Sequence, residues 1–233
     1  MSPIDMPAAP SGIARVRFDI DRVDFAAPEA AGRQGGVQAG WPLWSALFEL
    51  DASDPVSAEL WQAFIDRMKG RLGRFMGRDP SRPFPRAYPG GFGGMVRAGG
   101  GAFNGAAASW AQHSGGANGY PYVTFTGLPA YLKLNLGDYV GLKWDRAGDP
   151  AGSYLGRTMM RINADPPVYG DGSGYFYADP PIDTRVVPPG AILHFDLPCC
   201  VMQLVPEKSS LAPVGRGGAI SGGSIVAIQD LRP

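Results

Sequence analysis

The sequence predicts a mainly β protein: an antiparallel β-sandwich or barrel-like domain with one amphipathic α-helix and a long glycine-rich loop. Three observations predict it. Short apolar-polar alternations recur between Gly, Pro and Asp turns; a single stretch has helical periodicity; and 34 glycines and 23 prolines punctuate 233 residues. That share of turn formers is about twice ordinary usage. An apolar content of 45% with 11% aromatic residues supplies a packed core rather than disorder.

The elements follow in order. Ile13, Arg15, Arg17 and Asp19 oppose Ala14, Val16, Phe18 and Ile20 with a period of two, a strand pattern that runs into a Gly/Ala-rich turn at 30–36. Trp41, Trp44, Leu47, Phe48 and Leu50 predict an aromatic strand that feeds a helix. Asp54 before Pro55 is a helix start, because Asp caps free N–H groups and Pro at the first helical position lacks one. Leu60, Trp61, Phe64, Ile65 and Met68 then recur at helical spacing, predicting a helix over about 55–69 with Leu72 extending its apolar stripe and Gly70 and Gly73 ending it. From residue 122 strand grammar returns: 123–126, 132–136, 139–142, 158–162, 174–177, 191–197, 201–204 and 224–228 are each short and bounded by turn residues. No period of 20–50 residues repeats, which argues against a propeller or solenoid.

Residues 80–127 differ. A basic Pro-rich run leads into glycines at 90, 91, 93, 94, 99, 100, 101, 105, 115, 116 and 119, with Phe92, Phe103, Trp110 and Tyr120 spaced among them. The organisation expected is a β-sandwich body over 1–79 and 128–233 that includes the helix at about 55–69, with 80–127 inserted as a loop or arm. Two readings of the insertion stay open: a mobile surface loop, or an arm whose aromatics bind a neighbouring subunit.

Charge excludes a dedicated nucleic-acid binder, since 21 Lys+Arg balance 21 Asp+Glu. The start of the chain has no basic segment followed by an apolar one, and no apolar run is long enough for a bilayer, so no secretory signal and no membrane partner is expected. The adjacent Cys199 and Cys200 read as buried apolar residues of a protein made in a reducing cytoplasm.

Catalytic and cofactor chemistry find little footing. The glycine-rich segment lacks the Lys-Ser/Thr ending of a phosphate loop. His113 and His194 stand alone, without His-x-x-x-His or Cys-x-x-Cys spacing, and His194 reads as an outward-facing strand residue. Asp165, Asp171 and Asp179 read as turn formers rather than Ca²⁺ ligands. Ser173 has Gly172 and Gly174 as immediate neighbours and so misses the Gly-x-Ser-x-Gly nucleophile turn by one position on each side, and Asp19 and Asp21 beside Arg15 and Arg17 read as a solvated strand edge. No enzyme activity, catalytic residue, metal or cofactor is expected.

The run from Leu60 to Pro80, in which the helix ends in Gly70-Arg71-Leu72-Gly73-Arg74-Phe75 and is followed by Asp79-Pro80 and then Pro85-Arg86, resembles the central signature of the distal tail proteins of tailed phages. Leu136-Gly137-Asp138-Tyr139, the segments 158–165 and 174–181, Gly190-Ala191-Ile192 and 198–204 are similar to its later strands, in the same order, so the resemblance covers roughly 37–205. Departures occur at 103–108, where that family often has Asp-Gly-x-x-Gln-Thr-Gly, and at Ile182-Asp183, where Leu-Arg is usual.

The resemblance implies a structural virion protein at the tail tip or baseplate. It would form a ring, usually a hexamer, that joins the tail tube protein to the baseplate hub and fibre proteins, while DNA passes through the lumen without specific binding. The expected subunit-interface residues are Arg71, Arg74, Phe75, Phe84, Arg86, Phe92, Phe103, Trp110 and Tyr120. Arg67, Arg71, Arg74, Arg78, Arg82 and Arg86 form a possible basic stripe, read as bound to carboxylates rather than DNA. The alternative is a non-catalytic carbohydrate-binding sandwich of a tail tip, in which Trp110, Tyr120, Tyr122, Tyr131, Tyr139, Tyr175 and Tyr177 stack on sugar rings.

Overall fold

The computed structural model describes residues 2–7, 12–28, 34–38, 40–52, 54–115, 120–164, 166–210 and 220–232. Most of the 30–36 turn, Gly116, Gly119 and Asp165 lie outside them. Strands β1 (Ile4–Asp5), β2 (Ile13–Asp21), β3 (Asp24–Pro28), β4 (Gln34–Gln38) and β5 (Leu43–Ala52) precede helix α1 (Pro55–Met68). After it come β6 (Phe75–Gly77), β7 (Ser109–His113), β8 (Tyr122–Thr126), β9 (Tyr139–Trp144), β10 (Gly156–Ile162), β11 (Gly174–Asp179), β12 (Ile192–His194), β13 (Cys200–Leu204) and β14 (Ile220–Gln229). The protein is mainly β, as expected.

Two six-stranded sheets form the body, in the orders β1-β6-β13-β14-β5-β2 and β12-β9-β10-β11-β8-β7, while β3 and β4 make a two-stranded sheet of their own. Among the described residues only the β1–β6 pair is parallel. The second sheet curls until its edges meet. Ala107 N–H donates to the Leu193 carbonyl at 2.9 Å and Phe195 N–H to the Gly105 carbonyl at 2.8 Å, so the chain entering β7 is laced to β12. This curl gives the sheet an inner core of Val123, Phe125, Val140, Leu142, Met160, Ile162, Phe176, Leu193 and Phe195.

The first sheet has one buried face, because alternate residues of its strands are apolar: Trp44, Ala46, Phe48 and Leu50 on β5 align with Ile225 and Ala227 on β14. Trp61, Phe64 and Met68 of α1 and Tyr139 and Met159 of the second sheet share that core. Strand β10 is therefore buried on both faces. A cross-sheet bracket holds the layers in register. The fully buried Trp44 indole donates to the Met159 carbonyl at 2.7 Å; Gln229 accepts from Trp44 N–H at 3.2 Å and donates to Thr158 Oγ1 at 2.8 Å.

The helix begins as its sequence requires: the extended Asp54 accepts from Ser57 N–H at 2.8 Å and Pro55 opens the first turn. Its end differs. Lys69, at φ 47°, takes the left-handed cap expected of glycine. Two predicted stripe residues also fall off the buried face: Leu60 is 49% and Leu72 73% exposed, and Ile65 is only half-buried.

The segment 132–136 alternates yet forms no strand. Tyr131 is left-handed at φ 55°, Lys133 N–H donates to the Tyr88 hydroxyl at 2.8 Å, and Leu132 and Leu134 plug the inner core from a loop. Segment 80–127 is not an arm inserted into the body, since it contributes β7 and β8 to the second sheet and Phe92 and Phe103 to its core. Among the described residues no helix is long and apolar enough to cross a membrane.

Candidate functional site

The expected interface residues divide by burial. Phe75 lies in the core shared with α1, packed edge-on to Phe64 at 5.2 Å, and Phe92 and Phe103 pack against each other at 5.0 Å within the second sheet's core. These three are corrected from surface contacts to core residues: local glycine content hid the long-range packing that absorbs them. Phe84 is partly buried against Phe92, and the Trp110 indole donates to the Ala191 carbonyl at 2.5 Å.

The arginines are largely engaged within the chain. Arg71 pairs with Glu207 at 2.8 Å, Arg74 donates to the Arg232 carbonyl at 3.3 Å, and Arg82 donates to the Gly137 carbonyl while lying over the Tyr139 ring. Arg86 is exposed, and its backbone N–H donates to the buried Asp138 carboxylate at 3.1 Å. Asp138 also accepts from Asn135 N–H at 2.8 Å, which ties the Pro85-Arg86 turn to the Gly137-Asp138 turn.

Of the aromatics expected at a subunit interface, Tyr120 stands furthest out, at 65% exposure. It lines a groove of about 390 Å³ with Trp41, Arg22, Gln38 and Asp179, where Arg22 and Asp179 form an ion pair. Val23, just before β3, and Phe25, on β3, are also exposed, at 57% and 62%. Among the described residues strand β2 pairs on one side only, with β5, which leaves it at the sheet edge, where its Phe18 carbonyl accepts from the Arg161 side chain at 2.6 Å. Arg15–Glu49 and Arg17–Asp19 pairs decorate it, as a solvated edge requires. Neither Trp41 nor Phe25 was singled out as an interface residue from sequence; nothing in a single exposed aromatic of a short strand marks it as one.

A second group of aromatics, Tyr122, Tyr175 and Tyr177, clusters at 5.9–6.1 Å ring separations on β8 and β11, with His113 stacked on Tyr122 at 4.9 Å. Tyr139 is buried and Tyr131 fully displayed. His113 Nε2 lies 2.9 Å from Thr124 Oγ1. His194 does not face outward: it is 1% exposed, its ring covering Gly141 of β9, where any Cβ would collide with the imidazole. Asp171 accepts from Ser173 N–H and Oγ, a turn use that holds its carboxyl below the ordinary value. Burial pushes both Cys199 and Cys200 thiols up, and both are free. No group of three metal-ligating side chains occurs among the described residues.

Around another groove, of about 540 Å³, Arg146, Arg185 and Arg232 are each held by an aspartate two or three residues away: Asp149, Asp183 and Asp230. Hydrogen bonds from Arg185 hold the Asp183 carboxyl below its ordinary value. Burial would raise Asp230, but hydrogen bonds from the Arg232 side chain and backbone overcome it and lower it. With folded values beneath the reference 3.8, both groups stabilise the fold above about pH 4 and lose that contribution as pH falls through the folded values. Melting temperature is expected to fall steeply below pH 4, with a shallower fall in Asp183→Asn; an identical acid profile in that variant contradicts the assignment.

Comparison with protein-family models and with curated proteins finds no match to this chain.

Proposed function

We propose that the chain is a self-assembling ring subunit, usually sixfold in the proteins it resembles, at the distal end of a phage tail. In this reading it joins the tail tube to the hub and fibres of the baseplate, and DNA crosses the lumen without specific contacts. The observation that carries the self-association is the position of β2 at the sheet edge, followed directly by the exposed Val23 and by Phe25 on the β3–β4 hairpin. A two-stranded hairpin is marginal by itself in water and gains most from a partner surface. A ring of identical subunits uses two unlike complementary patches per subunit that close by rotation, and an edge with an adjacent apolar groove supplies them. The ordered motifs from Leu60 to Leu204 supply the tail-tip identity. The engagement of Arg71 and Arg82 inside the chain leaves less basic surface to retain DNA.

Antibody raised against the purified chain is expected to label the tail tips of particles released from the cells that encode it. Label confined to cell debris, with the chain missing from purified particles, overturns the reading.

A second reading draws on the Tyr122–Tyr175–Tyr177 cluster: such rings suit stacking on a sugar. Glycan-array binding that disappears in Tyr175→Ala favours it; a blank array removes it.

A further inference from the structure

The groove of about 540 Å³ is touched by its arginines but not by the aspartates that hold them: Arg146, Arg185 and Arg232 line it, and Asp149, Asp183 and Asp230 do not. At two of the three pairs the burial is unequal. Arg185 and Arg232 are exposed while Asp183 and Asp230 are buried, so each pair turns its positive end outward. An anion placed against such a guanidinium meets the cation at closer range than the carboxylate behind it, and attraction wins.

The three guanidiniums are also oriented in the same way. Arg185 gives Nε and Nη2 to Asp183 at 2.9 and 2.8 Å, and Arg232 gives the same two atoms to Asp230 at 2.8 and 2.7 Å. Arg146 holds Asp149 through Nε at 3.0 Å and Nη2 at 3.4 Å. Nη1 of each is left without a hydrogen bond among the described residues. A guanidinium fixed in advance loses less freedom when it meets a further anion. The acid that does line the groove, Asp145, is already occupied, since its two oxygens accept from Gly152 and Tyr154 N–H at 2.7 and 2.6 Å.

Between these polar groups the lining is apolar, from Trp144, Val186, Pro188 and Leu231. The Trp144 indole lies on Gly156, where any Cβ would collide with the ring, and this fixes that wall. An apolar cleft of this volume with a few oriented polar groups is the usual form of a small-molecule site. We propose that the groove binds an organic anion with a carboxylate head on an apolar body. The body covers Trp144 and Leu231, and the head takes hydrogen bonds from the unused Nη1 groups. Binding needs no self-association, so its test is separate from that of the ring.

The probe is naphthalene carboxylate, titrated into the full chain by calorimetry at neutral pH and fixed ionic strength. The uncharged naphthalene carboxamide tests the body alone, and acetate tests the head alone. Saturable binding of one carboxylate per subunit is expected, about tenfold or more tighter than either comparison compound. It should weaken about tenfold or more in Arg185→Gln, which removes a charge-assisted bond, and in Leu231→Glu, which sets a like charge in the apolar lining. Arg67→Ala, on the exposed face of α1, serves as the unaffected control. Carboxamide or acetate binding as tight as the carboxylate, no saturable binding, or unchanged affinity in both variants overturns the proposal; if Leu231→Glu fails to fold, Arg185→Gln decides.

Discussion

Trp44→Ala is expected to destabilise the protein by about 3–5 kcal/mol, the usual cost of emptying a fully buried aromatic site. That is a large share of the about 5–15 kcal/mol that holds a domain of this kind together. Two losses add at this position. The indole packs edge-on against Phe18 and Tyr139 at 6.1 and 5.7 Å and lies under the Arg161 guanidinium. Its N–H also satisfies the Met159 carbonyl, on a strand buried on both faces, where water cannot replace it. Trp44→Phe keeps most of the ring and isolates the second loss, so it should fall between wild type and Trp44→Ala. Urea unfolding followed by far-ultraviolet circular dichroism measures both. A Trp44→Ala protein within about 1 kcal/mol of wild type would remove the bracket between the sheets from the account.

The second large effect concerns assembly without folding. Phe25 and Tyr120 are well exposed and Trp41 is 36% exposed under the Arg185 guanidinium, so Phe25→Ser, Trp41→Ala and Tyr120→Ala together should lower the melting temperature only modestly and leave the chain folded. If these rings fill a neighbour's surface, each behaves as an interface hot spot of about 2 kcal/mol, which is about 30-fold in association per residue. The triple variant is expected to sediment as a monomer at concentrations where wild type is assembled. Tyr131→Ser, equally exposed but on the loop before β9, should sediment as wild type. Full assembly of the triple variant would move the interface to another face.

Where the sequence was informative, short-range physics decides. The alternation from Arg15 to Ile20 reads correctly because β2 has one buried and one wet face, while a register shift between Ile13 and Arg15 turns Ile13 to the core and leaves Ala14 exposed. The helix start reads correctly because Asp54 and Pro55 act within a single turn. Long-range closure was hidden. Trp110 finds its acceptor 81 residues away, and the glycines around Phe92 and Phe103 advertise backbone freedom while saying nothing of the rings they deliver to the core. The alternation at 132–136 misleads because a loop pinned by Tyr88 also buries Leu132 and Leu134, while Leu136 is left exposed. His194 misleads for the opposite reason. Its strand partner is Gly141, whose missing side chain makes room for the imidazole, so a polar residue in an alternating run ends up inside.

The candidate surfaces were less legible than the fold. Of the residues expected at an interface, Arg71, Arg86 and Tyr120 are exposed, while Phe75, Phe92 and Phe103 hold the fold together from within. The groove at Arg146, Arg185 and Arg232 gathers residues that follow β9, β11 and β14, and no spacing in the chain connects them.

Self-association into a closed annulus is the claim on which the functional reading depends. Light scattering on the purified full chain, paired with negative-stain images of the same sample, tests it most directly. The account predicts one narrow multimer, hexameric in mass, with a ring-shaped outline and an open centre. A single-subunit mass at every concentration and salt, with no annular particle in the images, would contradict it.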